Sequence, residues 1–109
     1  MALMKNYVQP GNTVTFIADT AGVSSGDGVL YGSLFGVAAT DAVGGEEYEA
    51  QVVGVFSLPK DGSAIDPGGK VYWTGTACAA SGSTLIGVSV EGADASAATV
   101  AVRLNGVAI

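Results

Sequence analysis

Polar and apolar residues alternate along this chain in short runs separated by turn formers. Three runs share one form, two large apolar residues followed by Gly-Val: Leu34-Phe35-Gly36-Val37, Val52-Val53-Gly54-Val55 and Leu85-Ile86-Gly87-Val88. Runs on balance β-branched or aromatic, closed by small or polar residues, predict strands. Over residues 12–18, Val14, Phe16 and Ala18 fall on one face, and Thr13, Thr15 and Ile17 on the other. Residues 29–39 read as a strand or a broken pair, with Gly32 and Gly36 as bulges. The best alternation spans residues 46–57. Tyr48, Ala50, Val52, Gly54 and Phe56 share one face, while the other starts polar at Glu47 and Glu49 and turns apolar at Val53 and Val55. That change predicts one strand leaving solvent and entering a two-sided interior.

Residues 70–74, 85–91 and 99–104 predict further strands, and residues 78–82 a weaker one. Tyr72 and Trp73 must point to opposite faces, so at most one is fully in the core; Trp73 is expected there and Tyr72 at a rim or subunit contact. Residues 92–98 form an acidic, alanine-rich loop, the one place where a helical turn is expected. No window sustains a 3.6-residue period. The expectation is an all-β fold, a small compact barrel or sandwich of about seven or more short strands. The Gly-Val runs are unevenly spaced, so no solenoid repeat is expected. Residues 1–12 read as an extended N-terminal arm closed by Pro10-Gly11-Asn12, and residues 13–109 as a single β domain.

Composition sharpens this in three ways. Charged residues make up 13% of the chain, against about 25% in ordinary soluble domains, which suits surface hidden in an assembly. Ten acidic residues outnumber Lys5, Lys60, Lys70 and Arg103, giving a net charge of −6. Such a surface repels phosphate, so no nucleic-acid partner is expected. Histidine is absent and Cys78 is alone, which removes the commonest general base and any internal disulfide. No apolar stretch approaches the roughly 18 residues that span a bilayer, and residues 1–6 lack a signal-peptide core. A soluble protein made in the cytoplasm, with no membrane partner, is expected.

Candidate chemistry is sparse. Gly68-Gly69-Lys70 is followed by Val71 rather than a hydroxyl residue, and Ala64 stands at the upstream glycine position, so it is not a P-loop. Gly26-Asp27-Gly28 starts a dinucleotide fingerprint that Tyr31 breaks, and reads as a hairpin turn. Glu47 and Glu49 share a strand face about 7 Å apart, a spacing a glycosidase pair tolerates. No second acidic cluster accompanies them, and a solvated face with edge protection by charge is the plainer reading. No serine has a histidine to activate it. No catalytic residue, cofactor or metal is expected, and the protein is read as not an enzyme.

Several segments, in the same order, resemble a family of small tailed-phage and prophage proteins. They are Val8-Gln9-Pro10-Gly11-Asn12, Val23-Ser24-Ser25-Gly26-Asp27-Gly28-Val29, Gly32-Ser33-Leu34-Phe35-Gly36-Val37-Ala38, Val53-Gly54-Val55-Phe56-Ser57-Leu58-Pro59-Lys60, Gly69-Lys70-Val71-Tyr72-Trp73 and Leu85-Ile86-Gly87-Val88. The family is described as capsid cement and is similar to lambda-type head decoration proteins. Some members have carried a RecA/RadA recombinase-like label, which this chain, short, acidic and without a P-loop, does not fit. The resemblance implies a β-tulip-like homotrimer bound at three-fold positions on the outer capsid surface of a virion. It also implies a major capsid protein partner, contacted by an N-terminal arm that here corresponds to Lys5, Asn6, Tyr7, Val8, Gln9 and Pro10. The alternative is a fibre or tail knob that binds the host surface, suggested by residues 92–98 and Tyr72.

Overall fold

The computed structural model describes residues 9–109, and these are all-β. They form nine strands: β1 (Thr13–Ile17), β2 (Gly28–Tyr31), β3 (Leu34–Ala38), β4 (Glu47–Gln51), β5 (Val53–Pro59), β6 (Lys70–Trp73), β7 (Cys78–Ala79), β8 (Leu85–Ser89) and β9 (Thr99–Asn105). Two antiparallel sheets result, ordered β1-β4-β3-β2 and β5-β9-β8-β6-β7. One is curled into a half-barrel, and together they make a small β sandwich.

The sheets are two copies of one plan. Each half of the chain lays down its strands in the same spatial order, β7 being the single addition in the second half. The register agrees residue by residue. Phe16↔Tyr48 and Val14↔Ala50 in the first sheet correspond to Leu58↔Val100 and Phe56↔Val102 in the second. Val29↔Gly36 corresponds likewise to Val71↔Gly87. Even the isolated antiparallel bridges recur, Val23↔Ala42 and Ile65↔Ala93, each followed by a turn that launches a strand. Leu34–Val37 and Leu85–Val88, read above as similar runs, lie in equivalent strands. The third run, residues 52–55, is the crossover between the halves.

Five sequence expectations change here. Residues 46–57 are two strands in different sheets, divided at Val52. Gly54, at φ 126°, gives the backbone a conformation close to the crossover that other residues resist. Val55 is 57% exposed on edge strand β5 rather than in a two-sided interior. The strand buried on both faces is β3, with Phe35, Gly36, Val37 and Ala38 all buried. Gly32 lies in the β2–β3 turn at φ 63°, and Gly36 sits in regular register, so neither is a bulge. The register slips instead between β6 and β8, where the extra residue, Ile86, is carried into the core. Gly26-Asp27-Gly28 is not a hairpin turn, because the partner of β2 follows it through Gly32. Residues 92–98 contain a single hydrogen-bonded turn, Ala97 N–H to Asp94 O, and Ala93 is fixed in the bridge to Ile65.

The core has two parts. One gathers Phe16, Ala18, Ala38, Tyr48, Ala50 and Val52 inside the first sheet. The other gathers Leu58, Val71, Trp73, Ile86, Val102 and Leu104 from the second, joined by Phe35 and Val37 from β3. Phe35 and Trp73 meet with ring centroids 5.0 Å apart and fasten one sheet to the other. Gly28 leaves room for this pair, since a Cβ there would lie 2.8 Å from Phe35 and 2.9 Å from Trp73. Trp73 is thus buried as expected, and Tyr72 is half-buried. Lys60 is buried, and its ammonium donates to the carbonyls of Asp61 and Ser63, both at 2.6 Å.

Candidate functional site

Lys5, Asn6, Tyr7 and Val8 lie outside the described residues. Gln9 and Pro10 are exposed just ahead of β1, and the Gln9 amide donates to the Thr13 carbonyl at 3.4 Å. Glu49 of the acidic pair on β4 has a structural partner, as does Glu46 just ahead of the strand. Glu49 accepts a hydrogen bond from the Thr15 hydroxyl at 2.7 Å, and Glu46 accepts one from the Val43 amide at 3.0 Å. β4 lies between β1 and β3, and the Glu49 carbonyl accepts from the Ala39 amide, so Glu49 does not guard an edge. Among the described residues no three His, Cys, Asp or Glu side chains are grouped to hold a metal.

Sequence reasoning missed a groove of about 740 Å³ along the first sheet. Its walls are β2, the end of β1 at Ile17, and the turn after Trp73. Tyr48 contributes to its floor. Phe16, beneath, is stacked on Tyr31 at 4.4 Å and meets Tyr48 edge-on at 5.9 Å, so both tyrosines are held by packing. Tyr48 is 4% exposed, and its hydroxyl has no hydrogen-bond partner among the described residues. Burial raises its pKa first, and Asp19, Tyr31 and Asp27 raise it further. The two aspartates also line the groove and hold its local turns, Asp19 accepting from the Ala21 amide and Asp27 from the Ser24 amide. Among the described residues no lysine or arginine lines it. The groove therefore suits a ligand that brings hydrogen-bond donors or positive charge, together with apolar surface. The alternation placed Tyr48 with Ala50 and Val52 correctly, but no local signal marks its hydroxyl as unpartnered.

Cys78 is the obvious nucleophile, and its setting suppresses it. The side chain is fully buried, and burial, with a smaller contribution from Asp61, pushes the thiol up to about 11. In the native protein it should resist an aromatic disulfide reagent at pH 8 and react only after denaturation. Because the folded state holds this proton more tightly, the thiol's contribution to stability is complete below its ordinary value of 9.0. It is lost as pH rises from there through about 11. Denaturant titrations between pH 8 and 11 should show this decline, with a shallower slope in Cys78→Ala.

A family model described as phage cement protein matches residues 8–104. No curated protein and no solved structure matches the chain.

Proposed function

The chain belongs to the phage cement protein family and is a capsid-associated structural protein, and from that premise we propose that it decorates and stabilises the outside of the shell. In this reading it binds the major capsid protein as a homotrimer at three-fold positions, after synthesis in the host cytoplasm. The family match over nearly the whole chain carries the proposal. A protein that binds the completed shell in preference to its alternatives stabilises it by mass action, and no chemistry is needed.

The surface supports association. Across the outside of the second sheet, Val55, Arg103, Val88 and Lys70 stand side by side, all exposed, an apolar strip studded with two of the chain's four cations. Residues 1–12 act as the arm in this proposal, with Lys5, Asn6, Tyr7, Val8, Gln9 and Pro10 reaching the capsid and adding main-chain hydrogen bonds there.

The test is co-sedimentation with expanded shells of the same phage, alongside solution mass by light scattering. The expected result is a mass of about three chains and saturable binding. Lys5→Glu with Tyr7→Ala should weaken binding at least about tenfold while leaving the circular dichroism unchanged, since about 1.4 kcal/mol of lost contact suffices for that. Failure to bind shells, together with binding to host envelope, would select the alternative of a fibre or tail knob.

A further inference from the structure

The internal duplication gives every strand edge a counterpart, and one pair of counterparts differs. In the second half, β6 is flanked by β8 on one side and by β7 on the other, through Tyr72↔Ala79 and Trp73↔Cys78. Its counterpart β2 pairs only with β3, and nothing among the described residues pairs with its other edge. All four residues of β2 line the groove over Tyr48. The groove thus runs where β7 runs in the other half.

The backbone there is oriented to pair. The Trp73 amide bonds to Thr84 O on the β8 side, so the main-chain groups of the preceding Tyr72 face β7. Leu30 is the counterpart of Tyr72, which directs its N–H and C=O out of the sheet edge and into the groove. Such a row of unpaired groups is a template for an added strand. The side-chain chemistry also differs between the halves. Where the second half has apolar Val100, the first has Tyr48, whose hydroxyl has no partner among the described residues, close to Asp19 and Asp27.

We propose that the free edge of β2 accepts an extended segment of the major capsid protein as an additional antiparallel strand, centred on Leu30 and Tyr31. The residue opposite Tyr31 is a lysine or arginine whose head donates to the Tyr48 hydroxyl and the carboxylates of Asp19 and Asp27. Its aliphatic stem lies along Tyr31, on the face that Tyr31 shares with Phe16 and Tyr48. Charge complementarity favours this occupant, because the described residues give the groove two carboxylates and no cation. This inference rests on the capsid-binding reading above and names a contact surface of that same function.

The experiment measures co-sedimentation of the full-length protein with expanded shells at several salt concentrations. Asp19→Asn with Asp27→Asn keeps the oxygens that accept the Ala21 and Ser24 amides and removes only charge. This double variant should bind at least tenfold more weakly, with a reduced salt dependence. Tyr48→Phe should weaken binding several-fold, and Leu30→Pro, which deletes the outward amide, should abolish it. The asparagine pair decides the matter if Leu30→Pro does not fold. Wild-type binding with unchanged binding by these variants overturns the strand-addition proposal and leaves the capsid-binding reading standing. Wild-type failure to bind removes both. A groove variant that dissociates the oligomer also overturns it, because the edge would then hold a second copy of this chain.

Discussion

Gly87→Ala is expected to abolish cooperative folding or to lower the melting temperature by at least about 12 °C. Gly87 stands in β8 opposite Leu104 of β9 and Val71 of β6. A Cβ at this position would lie 2.0 Å from the Arg103 carbonyl oxygen and 2.9 Å from its carbon. These are backbone atoms of a paired strand, so no rotamer change relieves the overlap. The β8–β9 ladder must separate, and it is central to the sheet that supplies most of the larger core. Overpacking costs typically about 1–3 kcal/mol and more where the backbone must move. In a domain of this size each kcal/mol shifts the melting temperature by roughly 4 °C or more. Gly62→Ala is the control, since a Cβ there meets nothing within 4 Å. Thermal melts followed by circular dichroism give the comparison, and an unchanged Gly87→Ala would contradict the β8–β9 packing.

Trp73→Ala should be nearly as damaging, for a different reason. Trp73 carries the contact between sheets, packed on Phe35 from β3 and facing the space left by Gly28. Removing a large buried aromatic typically costs about 3–5 kcal/mol. The loss here falls on the joint between two half-domains, each with its own core cluster. Phe35→Ala should be destabilising through the same joint, and the double variant less destabilised than the sum of the two. Additive costs would mean that the rings do not share a contact. In the wild type and in Phe35→Ala, Trp73 is the sole tryptophan, so its fluorescence reports directly on this joint.

Much of the local structure is legible in the alternation of side chains. Val14, Phe16 and Ala18 turn inward and Thr15 and Ile17 outward, as period-two patterning requires. Trp73 is buried, and Cys78 is a buried hydrophobe. The break at Val52 was not legible, because alternation continues through it and the chain changes sheet without a polar turn. The duplication was hidden for a related reason. It is preserved in register while Phe16 is matched by Leu58 and Tyr48 by Val100, so residue identity does not repeat. The additional strand β7 and its connections also shift the spacing between corresponding runs.

The chain's own composition determined an acidic, helix-poor β protein with no histidine chemistry, and its segments carried a family resemblance that the match over residues 8–104 bears out. These properties reside in residue types and short periods, which act locally. The tertiary structure decided which strand lies at an edge, which tyrosine hydroxyl lies buried without a partner among the described residues, and where Asp19 and Asp27 converge with Tyr48. Such properties depend on pairing between residues far apart in the chain. Period-two alternation specifies the face a residue occupies, but not which strand will lie beside it.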